Sequence, residues 1–258
     1  MANSFSILKK PFAIAFLVLL AAACLFSAAA FFWSRHELSM ALFQTDPENL
    51  ENLPDVSASA IRSGQAVFRK NCAACHGANA HGDPAIGAPN LTDRDFLYGD
   101  GHVTEIEQTI RYGIRSGNSR GWDLASMPAY ATPHPYSKYE IPSLSPADVD
   151  DLTAYIRRIS HQDAELAAAE RGRTKYRDKG CWDCHTMDAG GDSAIGAPNL
   201  TDSIWLHGDG SAKSIKNSIS YGRGGQMPVF NTQLTPLETR TVALYVASLS
   251  RAGEKKTQ

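Results

Sequence analysis

The hydrophobic pattern of this chain changes character once. From residue 11 to residue 33 the sequence PFAIAFLVLLAAACLFSAAAFFW contains no charged side chain. At about 1.5 Å per residue such a run forms a helix of roughly 34 Å, enough to cross a hydrocarbon core of about 30 Å. Beyond it the pattern is amphipathic. Apolar residues recur at helical spacing at Val103, Ile106 and Ile110, and at Ala212, Ile215 and Ile219. They recur again at Leu152, Tyr155, Ile156 and Ile159, and at Val242, Tyr245, Val246 and Leu249. Shorter amphipathic stretches at 61–69 and 166–177 carry Gly64 with Phe68 and Gly172 with Tyr176. Ser145-Pro146-Ala147-Asp148 and Thr235-Pro236-Leu237-Glu238 have the form of helix starts, with a hydroxyl N-cap, a proline in the first turn and a carboxylate three residues on. No stretch alternates with period two, so the predicted fold class is all-α.

The pattern is also repeated. AIGAPNLTD occurs at 85–93 and again at 194–202, an interval of 109 residues that also relates Cys72 to Cys181, Tyr112 to Tyr221 and Gly113 to Gly222. The chain is a tandem duplication. The predicted organisation is an N-terminus at 1–10, a transmembrane anchor at 11–33, a linker at 34–56, domain 1 at 57–161, domain 2 at 162–251 and a polar tail at 252–258. Each copy reads as a unit of its own: a helix, a Gly/Pro-rich loop, a second helix and a capped C-terminal helix. Copy one carries additional loop, IRSGNSRGWDLAS before Met127 and ATPHPYSKYEIP after it.

Charge sets topology and narrows the partners. Lys9 and Lys10 precede the apolar span, and Glu37, Asp46, Glu48, Glu51 and Asp55 lie between Arg35 and the next basic residue, Arg62. The positive-inside rule puts the N-terminus in the cytoplasm and the rest of the chain across the membrane. A signal peptide cleaved after Ala23 or Ala30 is the alternative, and it also exports the body of the chain. Cys24 reads as a small apolar residue within the span. A net charge of -2 without a long basic run argues against a nucleic-acid partner.

The chemistry lies upstream of each repeated loop, in Cys72-Ala-Ala-Cys75-His76 and Cys181-Trp-Asp-Cys184-His185. Cys-x-x-Cys-His is the attachment signature of c-type haem: the thiols add across the vinyl groups, and the histidine becomes an axial ligand. A structural zinc site is the alternative for two cysteine pairs, but it leaves both histidines without a role. A redox dithiol lacks its βαβ context. Of the methionines, only Met127 and Met227 lie downstream of a motif at a distance that lets a loop reach the opposite haem face, and each is followed by proline. A core gap-filling role is the alternative for either. His81, His102 and His134 are rival ligands in copy one, with His207 in the same part in copy two. A ligand histidine needs an acceptor on its other ring nitrogen. Pro89 and Pro198, thirteen residues after the two histidines, are the candidates for offering a backbone carbonyl, and packing alone is the alternative reason for the repeat.

The Cys-x-x-Cys-His motifs with Gly-Ala-Pro-Asn-Leu-Thr-Asp, FLYGDG, WLHGDG and GRGGQMPVF resemble class I cytochrome c domains. More narrowly, they resemble the membrane-anchored dihaem subunit of cbb3-type cytochrome c oxidases, the CcoP or FixP family. The resemblance covers about residues 60–250. It implies two covalently bound haem c groups at Cys72/Cys75 and Cys181/Cys184, axial pairs His76/Met127 and His185/Met227, and electron delivery to a respiratory terminal oxidase. On this footing the chain is an electron-transfer subunit without catalytic residues of its own. It sits in a bacterial inner membrane with periplasmic haem domains and takes electrons from a soluble cytochrome or a quinol-oxidising complex. A cytochrome subunit of a periplasmic dehydrogenase or nitrogen-oxide reductase, and a dihaem peroxidase, are the alternatives. The short tether and long loops of copy one point to electron entry at the Cys181/Cys184 haem and exit from the other.

Overall fold

A computed structural model describes residues 9–52, 54–131 and 143–257. His134 and nearly all of the ATPHPYSKYEIP loop fall outside these residues, as do most of the N-terminal ten. The chain divides into two compact units, residues 1–59 and 60–258.

The first unit is dominated by α1 (Lys9–Gln44), which continues well past Trp33. Between Trp33 and Pro47, where a 3-10 turn begins, the sequence has no proline or glycine, and Trp33 Nε1 donates to Glu37 one turn on at 2.8 Å. Leu17, Leu19, Phe26 and Phe32 are all exposed. A helix apolar on every side is matched to lipid. Among the described residues it is the one helix long and apolar enough to cross a membrane.

The second unit is helical, with isolated β-bridges and no strand among the described residues. Its elements are α2 (Pro54–Asn71), which begins just ahead of the unit, α3 (Ala73–His76), α4 (Val103–Tyr112), α5 (Pro146–Ile159), α6 (Leu166–Asp178), α7 (Trp182–His185), α8 (Ala212–Tyr221) and α9 (Pro236–Thr257). Both predicted helix starts form capping boxes: the Asp148 amide donates to Ser145 Oγ at 3.2 Å and the Glu238 amide to Thr235 Oγ1 at 3.2 Å.

The packing crosses the repeat boundary, where the sequence pattern had each copy folding on itself. Gly64 of α2 meets the backbone of Thr241 on α9, so closely that a Cβ would overlap it, and Phe68 packs against Tyr245 with rings tilted by 59° and centroids 5.4 Å apart. Gly172 of α6 meets the backbone of Asp151 on α5 in the same way, and Tyr176 packs against Tyr155 with rings tilted by 58° and centroids 5.4 Å apart. Thus the opening helix of each copy crosses the closing helix of the other. Further joints agree. Arg240 of α9 pairs with Glu107 of α4, Lys216 of α8 with Asp150 of α5, and Arg171 and Lys175 of α6 with the side chain of Asp151, which is only 9 % exposed. One helical module therefore consists of α2, α3, α4 and α9. The other is a continuous run from residue 127 to 221, in the order closing helix, opening helix, Cys motif and α8.

Candidate haem-binding sites

Each site begins where a helix runs into the Cys motif. The α3 and α7 turns are single helical turns, closed by His76 N–H to Cys72 O and His185 N–H to Cys181 O, both 3.0 Å. One turn brings the two cysteines and the histidine of each motif, at i, i+3 and i+4, onto one face. None of the four cysteines is in a disulfide, and all are partly or well exposed. Burial pushes the Cys72 and Cys181 thiols up to about 11. Among the described residues no cluster of three His, Cys, Asp or Glu side chains suits a metal ion.

The loop after each histidine folds back beneath it. Gly82 N–H donates to His76 O and Gly191 N–H to His185 O. The following turn is pinned by Asp83, which accepts from the Ala85 amide, and by Asp192, which accepts from the Ala194 amide, each at 2.9 Å. Asn90 and Asn199 close the next bend by accepting from the amide and hydroxyl of Thr92 and Thr201. Between these two fixed turns the proline carbonyls are presented to the imidazoles. His76 Nδ1 lies 3.3 Å from Pro89 O, and His185 Nδ1 lies 3.0 Å from Pro198 O. These contacts join the residues that the sequence pairs. With Nδ1 donating to the carbonyl, Nε2 is the nitrogen left for a metal. Burial lowers the pKa of both histidines and outweighs the carbonyl bond, which raises it, so burial favours the neutral ring that a ligand must be. The side chains present thus fit haem c at both motifs.

The methionines are placed across the repeat. Met127 and Arg223 exchange main-chain hydrogen bonds of 2.9 and 3.0 Å, and Met227 and Ile114 exchange two of 3.0 Å. Gly222 and Gly113, with φ of 71° and 73°, lie so close to Met127 O and Met227 O that a Cβ would overlap them. Tyr130 N–H then bonds Ile219 O on α8, and Phe230 N–H bonds Ile110 O on α4, both at 3.1 Å. Met127 and Tyr130 pack against the core of the second module together with Cys181, Leu200 and Trp205. Met127 thus packs in the module of the Cys181 motif, and the Met227 segment runs along the module of the Cys72 motif.

The rival histidines have other places. His102 caps α4 in a box with Glu105, and His81 is exposed with Nδ1 3.0 Å from Asn79 Nδ2. His207 packs on Gly87. Met187 is exposed. Sequence reasoning missed Arg115, whose guanidinium reaches both methionine segments, and the crossing itself. Both depend on the copy-one loop, which is longer than its counterpart in copy two.

Comparison with known proteins agrees with the repeat. A cytochrome c family model matches residues 61–160, and the model for cytochrome c oxidase, cbb3-type, subunit III matches residues 167–246. The chain is 39 % identical over 216 residues to a cbb3-type cytochrome c oxidase subunit CcoP of Rhodobacter capsulatus, covering 81 % of this chain and 68 % of that one. It is 36 % identical over 208 residues to CcoP of Cereibacter sphaeroides, covering 81 % and 67 %. To subunit FixP of a Bradyrhizobium species it is 36 % identical over 215 residues, covering 83 % and 70 %. The chain therefore belongs to the CcoP/FixP family, subunit III of cbb3-type cytochrome c oxidases, and its cofactors are two covalently bound haem c groups.

Proposed function

We propose that the protein is a membrane-anchored dihaem cytochrome that passes electrons to the oxygen-reducing core of a cbb3-type oxidase. Cys72 and Cys75 hold one haem and Cys181 and Cys184 the other. His76 and Met227 are the axial ligands of the first, and His185 and Met127 those of the second. The observation that carries this assignment is the pair of matched histidine–proline contacts with a methionine segment delivered to each module from the opposite copy. Bound haem c supplies one-electron chemistry at its iron.

The chain's own residues set the conditions for that chemistry. The proline carbonyls fix ring orientation and raise the basicity of the ligand nitrogen. The apolar cluster of Leu152, Ile156, Ile215 and Ile219 keeps water from the second site. A thioether ligand favours ferrous iron and raises the potential, as a terminal-oxidase feed requires. Lys9 and Lys10, ahead of the apolar span, support a cytoplasmic N-terminus with the haem modules in the periplasm. The donor is a soluble cytochrome or a quinol-oxidising complex. We assign electron entry to the Cys181/Cys184 haem, following the tether argument from sequence.

Mass spectrometry of the denatured chain should show two haem additions, and one after Cys72→Ser/Cys75→Ser. The protein should co-purify with an oxidase core from native membranes, and its deletion should abolish oxygen consumption driven by the donor. An unmodified mass, or co-purification with a dehydrogenase instead, would overturn the assignment.

A further inference from the structure

Arg115 stands where the chain passes from the first module to the second. Its Nε donates to Gly225 O at 2.5 Å, and its Nη1 donates to Ala125 O at 3.0 Å and to the Tyr98 hydroxyl at 2.8 Å. Gly225 and Ala125 each lie two residues before a methionine, Met227 and Met127. One guanidinium thus grips both methionine segments at the same point. The backbone of Arg115 is gripped in return: its N–H donates to Trp122 O at 2.7 Å, and its carbonyl accepts from Gln226 Nε2 at 2.9 Å.

Two features separate this contact from ordinary surface bonding. Arg115 has φ of 45°, in the left-handed region that a non-glycine residue occupies only when its surroundings hold it there. Its three acceptors are uncharged, so the fork is used to position backbone rather than to neutralise an acid. The equivalent position in copy two is Gly224. Around two segments that otherwise mirror each other, the arginine is therefore present once and shared.

We propose that Arg115 is a positioning residue for both axial methionines, so that the two haems keep or lose thioether ligation together. The clamp holds the carbonyls of Ala125 and Gly225 at a fixed separation, and each methionine is reached from there through one intervening residue. Slack in either segment is transmitted through the guanidinium to the other. This inference rests on methionine ligation as assigned above.

The test uses the full-length, haem-loaded protein. In the reduced state each Met-ligated haem gives its own strongly upfield-shifted methionine methyl resonance, and Met127→His and Met227→His each remove one, which assigns them. Failure of the wild-type protein to show two such signals would end the ligation assignment before any Arg115 variant is made. Arg115→Ala should weaken or displace both signals, and should diminish the sulfur-to-iron charge-transfer band of both oxidised haems. Arg120→Ala, which removes an exposed arginine of the same loop, should leave both unchanged. Arg115→Lys keeps the charge without the fork and should fall on the side of alanine. If Arg115→Ala does not accumulate with two haems, the lysine variant is read by the same criterion. A change confined to one haem, or none, overturns the proposal.

Discussion

Tyr98 and His207 stand at the same position in the two copies, and each lays its ring against the loop glycine of the other, Tyr98 on Gly196 and His207 on Gly87. A Cβ on either glycine would overlap the ring, and both glycines have positive φ, 72° and 70°. The glycine of the repeated loop is thus fixed by the opposite copy as well as by its own turn. Burial first, then the Arg223 and Arg115 guanidiniums, lower the His207 pKa, so a neutral ring fills this joint.

Gly87→Ala and Gly196→Ala should each destabilise the protein by about 1–3 kcal/mol from backbone strain alone, with the ring overlap in addition. Thermal unfolding of the two variants checks this. Equal losses from both would reflect the reciprocal packing, whereas an unaffected variant would show that its ring moves aside.

Exchange of the methionine segments gives an inverted mutational signature. In a Cys72→Ser/Cys75→Ser background, which leaves only the haem at Cys181 and Cys184, Met127→His should lower the remaining potential and Met227→His should not. Imidazole favours ferric iron over a thioether, which sets the sign. Redox titration reads the result, and the opposite outcome would restore the pairing within each copy.

The joint between α5 and α6 should be sensitive to acid. Arg171, then Lys175, hold the Asp151 carboxyl below its usual range, and Lys175, then Ser145, hold the Asp148 carboxyl well below it. A depressed carboxylate contributes stability above its unfolded pKa of about 3.9 and loses it as pH falls through the folded value. Unfolding midpoints should therefore drop steeply below about pH 4. Asp151→Asn should make that part of the profile shallower while lowering stability at neutral pH.

Asp95 should act in the opposite sense. Burial, then the carboxylates of Asp202 and Asp93, push it up to about 6. A carboxyl raised in the folded state takes up its proton on folding, so its contribution grows as pH falls from neutrality through about 6. Asp95→Asn should stabilise the protein at pH 8 and remove this rise, as read from denaturant midpoints across pH.

The elements were legible because they are local. Helical periodicity at Val103, Ile106 and Ile110, the Ser145 and Thr235 caps and the Pro89 and Pro198 carbonyls depend on a few neighbouring residues or on one short loop. Which copy's closing helix crosses which opening helix was not legible. Gly64, Phe68 and Tyr245 match Gly172, Tyr176 and Tyr155 so well that either partner would satisfy the same crossing. The decision lies in the connection after α4: Gly113 and Ile114 bind the Met227 segment, and the chain must continue past it to Met127 on the other side. Periodicity carries no record of such a choice.

The interleaved order of the chain also sets a timetable. A nascent chain emerges N-terminus first, and the module spanning 127–221 is complete as soon as α8 has appeared. The module built on α2, α3 and α4 has to wait for Met227 and α9, the last elements made. Cys72, Cys75 and His76 are therefore made well before Met227 and α9, the elements that complete their module.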